Sequence, residues 1–185
     1  MRLSWIVSAT LCASTWGMMI PDTLAEGRGF FEAAPRLENV RTTFDETQVR
    51  AATYYFTVTL PEDAGESLSQ LIIEQKGGVS DIPLLLDETT AFVGTSQDKQ
   101  ERLPLSNVSQ SEDNRKIIAE FEDPVTPGTT VTLGLKPRRN PQADGVYLFG
   151  VTASPRGNSD HDLYLGVGRL HFYDRHDNDF HRFHN

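Results

Sequence analysis

The stretch "ADGVYLFGV" (residues 143–151) decides the fold, because it joins a strand-like pattern to a corner tyrosine. In immunoglobulin-like domains a small residue two places before a tyrosine opens a late strand, and the tyrosine hydroxyl bonds back to the preceding corner. Gly145 and Tyr147 have this spacing, and Phe149 stands where antibody domains carry a disulfide cysteine. The stretch therefore predicts a late strand of an immunoglobulin-like sandwich.

Both faces of this strand are largely apolar. Val146 and Leu148 share one face, whereas Tyr147 and Phe149 share the other. This pattern predicts a central strand that is covered on both sides.

The next stretch, "LYLGVGRLHFY", begins at residue 163 and changes its pattern halfway. Its apolar positions shift by one between Val167 and Leu170, which predicts a β-bulge near Gly168-Arg169 with backbone freedom supplied by the glycine. The alternative, a ligand that approaches the glycine backbone, has no phosphate-loop motif to support it. We interpret the stretch as scaffold.

Alternation of apolar and polar residues continues through the chain. It is clearest in "ATYYFTVTL" (52–60), "KIIAEFE" (116–122) and "TTVTLGLK" (129–136). Further strands are predicted at residues 39–44, 68–75, 82–86, 91–94 and 103–108, and one short helix at 61–68. Short strands between glycine- and proline-rich turns predict an all-β protein. We expect a single immunoglobulin-like antiparallel β-sandwich of about nine strands.

The N-terminal segment has the pattern of an export signal. A basic start at Arg2 precedes a mostly apolar run that Pro21 ends, and small residues follow. This predicts a cleaved signal peptide over residues 1–25, with an uncleaved membrane anchor as the alternative. We expect a flexible lead at 26–34, the sandwich domain at 35–173 and a flexible tail, probably disordered in the sense of lacking a core pattern, at 174–185.

Composition limits the classes of partner. The only cysteine, Cys12, lies in the predicted leader, so the mature domain would fold without disulfides. The leader holds one basic and one acidic residue, and the net charge of −9 therefore stays with the mature chain. Such a charge disfavours nucleic acid and anionic lipid, and we expect no membrane insertion of the mature chain.

The C-terminal tail is rich in histidine and aspartate. His176, His181 and His184 are the residues that would bind zinc, copper or nickel if the protein handles metal. A tail without an apolar period lacks the surrounding shell that a defined metal site needs. Metal handling is therefore an alternative hypothesis, and we expect no resident cofactor.

The cluster "KPRRNP" (136–141) is the one basic cluster of an acidic chain. Arg138, Arg139 and Asn140 fall in a loop between two predicted strands, where sandwiches commonly bind partners. Arginines there can hold a carboxylate or phosphate. The alternative is that they balance the many acids nearby.

No motif of nucleophilic catalysis is found in the predicted mature chain, which lacks a thiol and a glycine-x-serine-x-glycine elbow. We therefore predict that the protein is not an enzyme. A carbohydrate-binding module is a further alternative, which requires aromatic residues such as Tyr54, Tyr55 and Tyr164 to align on one exposed face.

Several motifs together resemble a known family. They are "ATYYFTVTLPEDAGESL", "AFVGT", "VTPGTTVTLGLKPRRNP", "GVYLFGVTA" and "LYLGVGRLHFY". In this order they resemble the exported cyanobacterial proteins grouped as domain of unknown function 2808, over about residues 35 to 173. The resemblance implies one β-rich domain in the periplasm, the thylakoid lumen or at the cell surface. It implies no catalytic residues, because none is defined for the family.

The leading hypothesis is an exported, non-enzymatic binding or structural module. Its partner would be a protein or another envelope component such as a polysaccharide. The predicted signal peptide, the sandwich pattern and the missing catalytic motif support this interpretation.

Overall fold

A computed structural model of the protein describes residues 29–157 and 161–174. Within these residues the chain forms ten β-strands and one 3-10 turn. The strands are β1 (Arg36–Thr42), β2 (Tyr54–Thr59), β3 (Leu68–Gly77), β4 (Thr90–Gly94), β5 (Lys99–Leu103), β6 (Leu105–Gln110), β7 (Lys116–Val125), β8 (Thr130–Leu135), β9 (Gly145–Pro155) and β10 (Leu163–Phe172), and the 3-10 turn is Leu86–Glu88. The predicted signal peptide at 1–25 lies outside the described residues.

The strands form two five-stranded antiparallel sheets. The first has the order β1-β2-β8-β4-β5 and the second has the order β10-β9-β3-β7-β6. The predicted all-β antiparallel sandwich is confirmed. No helix in the described part of the chain is long and apolar enough to cross a membrane.

The core lies between the two sheets, where the inward residues of alternating strands meet. Phe56 and Leu133, from β2 and β8, are fully buried, as the alternating pattern predicted. Phe149 packs against Tyr54 and Phe56, with ring centroids 6.2 and 5.7 Å away. Apolar burial of this kind is the main stabilising contribution to a domain without disulfides.

The corner tyrosine is confirmed. Tyr147 is fully buried, and its hydroxyl donates to the carbonyl of Ala143 at 3.2 Å, just before β9 begins. The hydroxyl also lies 3.0 Å from Oγ of Ser80. This contact joins the turn before β9 to the segment after β3.

The prediction that β9 is covered on both sides is wrong. Tyr147 and Phe149 face the core, but Val146 is exposed and Leu148 is half-buried on the outer face of the second sheet. Apolar outward residues on a single strand are common, because polar surface alone does not cover a protein.

The bulge in β10 is present but lies earlier than predicted. The register with β9 shifts between Tyr164 and Gly166, so Leu165 is the extra residue. Gly166 has the positive φ of 120°, which suits a glycine at a bulge. Gly168 serves a different purpose, because a side chain there would overlap Val40 of β1. This close approach of β1 and β10 closes one edge of the sandwich.

The opposite edge is formed by β5 and β6. Only Pro104 separates them, and the chain passes there from the first sheet to the second. Sequence analysis predicted one strand at 103–108, a strand at 82–86 and a helix at 61–68. The chain instead has two strands around Pro104, the 3-10 turn after a single bridge between Leu84 and Pro137, and no helix at 61–68.

Candidate functional site

The 3-10 turn stands between two cavities beside the edge formed by β5 and β6. The larger, of about 710 Å³, lies at the end of the sandwich and is called the end cavity. The smaller, of about 340 Å³, follows the change of sheet at Pro104 and is called the edge cavity. Leu86 and Asp87 line both, so we treat the two cavities as one turn groove.

The segment before the 3-10 turn is held in place by backbone hydrogen bonds and by one glutamine. Leu85 N–H donates to the Lys136 carbonyl at 2.8 Å, and Arg138 N–H donates to the Pro83 carbonyl at 2.9 Å. The side chain of Gln110 accepts from Leu84 N–H at 3.2 Å and donates to the carbonyls of Ile82 and Asn114. These bonds give the groove a fixed wall.

The groove carries charges of both signs. Arg138 and Glu88 line the end cavity, Arg102 lines the edge cavity, and Asp87 lies between them. Within the described residues neither arginine forms an ion pair. The arrangement suits hydrogen bonding and ion pairing with a polar, mixed-charge partner.

Thr89 is a buried polar group without a partner at the end of the 3-10 turn. The residue lines the edge cavity and is only 7% exposed. Its hydroxyl oxygen has no hydrogen-bond partner among the described residues. Because an unsatisfied buried hydroxyl is costly, such a group indicates a place where a ligand atom would be stabilised.

The three predicted binding residues have different positions. Arg138 is exposed and lines the end cavity, whereas Arg139 is half-buried and lines neither cavity. Asn140 is buried and its side-chain amide is used by the fold. It accepts from Tyr54 Oη at 2.8 Å and donates to the carbonyls of Phe44 and Glu46 at 3.0 and 2.8 Å. Asn140 is therefore a structural residue, and only the arginines stay candidates for binding.

The metal hypothesis concerns residues that the structure does not describe. His176, His181 and His184 lie outside the described residues. Among residues 29–157 and 161–174 no group of three metal-binding side chains is found. His171, which is described, stacks on Tyr173 with ring centroids 4.9 Å apart.

The tyrosines proposed for carbohydrate binding do not share one face. Tyr54 is in the core, and Tyr55 lies on the outer face of the first sheet, covered by Lys99, whose Nζ is 2.9 Å from the tyrosine hydroxyl. Tyr164 is exposed on the second sheet. The alignment that this alternative required is absent for these three residues.

Sequence reasoning did not find the turn groove. The segment at 82–86 has an apolar run that predicted a strand, and Asp87 and Glu88 were interpreted as solvated turn residues. Nothing in the local sequence shows that Thr89 becomes buried opposite the change of sheet. The contact depends on segments that are distant along the chain.

Solved structures with similar folds include three bacterial modules. The structure of BslA, a bacterial hydrophobin, aligns with 14% identity and a TM-score of 0.44, covering 77% of this chain and 96% of that one. A cohesin module from a Clostridium perfringens family 33 glycoside hydrolase aligns with 16% identity and a TM-score of 0.41, covering 76% and 99%. The collagen-binding domain of a Staphylococcus aureus adhesin aligns with 8% identity and a TM-score of 0.38, covering 71% and 93%. Similarities at this level carry no argument about function.

Comparison with curated proteins gave no match. A family model described as protein of unknown function (DUF2808) matches residues 28–172, which is most of the chain and includes both sheets. The sandwich described above, with its corner tyrosine and its turn groove, therefore belongs to the DUF2808 family.

Proposed function

We propose that the protein is an exported, non-enzymatic binding module that holds an extended segment of a partner protein of the cell envelope. The observation that carries the proposal is the edge strand β6. It borders a groove that contains an unpaired buried hydroxyl, and it presents backbone groups to which a further strand can bond.

Strand β6 differs from the other sheet edges of the described chain. Strands β1 and β10 approach each other, and β5 carries charged side chains at Lys99, Glu101 and Arg102. Strand β6, with the sequence LSNVSQ, has no charged residue. Natural proteins protect free edges with charges, so an uncharged free edge favours the addition of a strand.

Strand addition also explains the groove beside the edge. An extended peptide bonded to β6 would place alternate side chains toward the edge cavity. There a polar side chain of the partner would meet the Thr89 hydroxyl, and Arg102 would pair with an acid. Main-chain bonds would supply affinity and the cavity would supply specificity.

The exported location rests on the sequence pattern of residues 1–25, which precedes the described residues. A partner outside the cytoplasm follows from that location.

Photo-crosslinking in cells tests the proposal. A photoreactive residue replaces the exposed Ser106 of β6, and the same residue replaces the exposed Gln100 of β5 as the matched control. We expect one or a few reproducible protein adducts from position 106 and none of them from position 100. Thr89→Val should lower the adduct yield from position 106 severalfold while leaving the domain as stable as the wild type, because the hydroxyl has no partner in the free protein.

Two results would overturn the proposal. One is the same adducts from positions 100 and 106, and the other is no adduct from position 106. Asn107→Lys provides an independent check, because a charge on the edge should block strand addition without disturbing an exposed position of the fold.

A further inference from the structure

Tyr164 is an exposed aromatic residue on the outer face of the second sheet. Its side chain is 53% exposed, and it lies opposite Thr152 of β9. Since residues directly opposite each other share a face, Val167 and Arg169 point outward on the same strand, opposite Gly150 and Leu148.

Gly150 makes room for the tyrosine ring. A side chain at this position would meet Tyr164 Cε2 at 3.1 Å and Lys76 Cε at 3.2 Å. The ring and the lysine stem therefore lie side by side over the glycine backbone. We call Gly150, Lys76, Tyr164, Val167 and Arg169 the Tyr164 platform.

The charge around the platform differs from that of the whole chain. On β10, β9 and β3 the charged outward residues are Glu74, Lys76 and Arg169. Lys76 Nζ pairs with Glu74 at 2.6 Å, and Arg169 has no ion pair within the described residues. This surface is thus locally positive on a chain with a net charge of −9.

We propose that the Tyr164 platform binds a polysaccharide that carries carboxylates. The apolar C–H face of a sugar ring packs on an exposed aromatic ring, which has a large apolar surface and a polar hydroxyl at its edge. A carboxylate on the same or the next sugar unit accepts two hydrogen bonds from the Arg169 guanidinium. Lys76 adds a second cation next to the ring.

The site is separate from the one proposed for the partner protein. In the order β10-β9-β3-β7-β6 the platform occupies the β10 side of the second sheet, whereas the turn groove adjoins β6 at the other side. One molecule would then join a protein to an acidic polysaccharide. Either site can fail its test without affecting the other.

Binding of the purified protein to a polyuronate and to an uncharged glucan of equal length tests the inference. In isothermal titration at low ionic strength we expect heat from the polyuronate, a tenfold or greater loss of affinity in Tyr164→Ala, and loss of the preference over the glucan in Arg169→Gln. Tyr173→Ala, which removes another exposed tyrosine outside the platform, is the matched control and should bind like the wild type.

Unfolding temperatures of all variants show whether they are folded. Because Tyr164 and Arg169 are exposed, their substitution should not change the unfolding temperature. Equal affinity of wild type and Tyr164→Ala, equal affinity for polyuronate and glucan, or absence of heat from the polyuronate would each overturn the inference.

Discussion

At the scale of single residues, Tyr54 shows how a polar group is used inside the core. Its hydroxyl donates to Asn140, whose amide in turn bonds two backbone carbonyls of the β1–β2 connection. Burial raises the pKa of Tyr54 well above its ordinary value of 10.0, and the nearby Tyr147 adds to the effect. The phenol therefore keeps its proton while the protein is folded.

This pKa shift predicts a loss of stability in alkali. Below pH 10 the contribution of Tyr54 is complete, because the phenol is neutral in both states. Above pH 10 the unfolded chain releases this proton and the folded chain does not. The free energy of unfolding then falls by about 1.4 kcal/mol per pH unit. Urea unfolding from pH 8 to 11 should show a shallower decline for Tyr54→Phe than for the wild type.

The matched control for this measurement is Tyr164→Phe, which removes an exposed hydroxyl and should keep the wild-type slope. Parallel curves for wild type and Tyr54→Phe would contradict the role given to burial. At neutral pH, Tyr54→Phe should cost about 1–3 kcal/mol, because the oxygen of Asn140 loses its donor.

At the scale of elements, β10 contains two glycines that are required for different reasons. Gly166 has a positive φ of 120° and open space around it, so only the backbone conformation requires glycine there. Gly168 has no positive φ, but Val40 occupies the space of a side chain. The bulge and the closure of the sandwich are thus set by neighbouring glycines of one strand.

Alanine substitutions separate the two effects. Gly166→Ala should destabilise the domain by about 1–3 kcal/mol through backbone strain, and Gly168→Ala by about 1–3 kcal/mol through overpacking. In double-mutant cycles Val40→Gly should relieve the cost of Gly168→Ala and leave that of Gly166→Ala unchanged. Denaturant unfolding measures all the variants, and additive costs for the 40/168 pair would contradict the assigned contact.

At the scale of the whole molecule, two five-stranded sheets enclose one core, and one pair of edges is closed while the other borders the turn groove. The core includes the aromatic residues Tyr54, Phe56, Tyr147, Phe149 and Phe172. Because the described residues contain no cysteine, this domain is held by packing and hydrogen bonds alone.

Export predicts a defined mature chain. Protein recovered from the cell envelope should have the intact mass of a chain that starts at Glu26, because the small residues before it fit a signal peptidase. Since Cys12 is then removed, reductant should not change its unfolding temperature. A recovered mass that includes residues 1–25 would show a retained anchor instead.

The sequence by itself determined the features that local alternation encodes. Strands β2, β7 and β8 follow apolar residues with a period of two, and the core position of Phe149 follows from its spacing to Tyr147. The corner tyrosine was predictable too, because its bond reaches a carbonyl only four residues away.

Only the tertiary structure decided the features that depend on distant segments. The bulge lies at Leu165 because β10 must match β9, and Gly168 is required because β1 approaches it from far along the chain. Asn140 became structural through Tyr54, and Thr89 became buried where the chain changes sheets at Pro104. Packing between remote residues leaves no local period in the sequence, so pattern analysis could not find the turn groove or the Tyr164 platform.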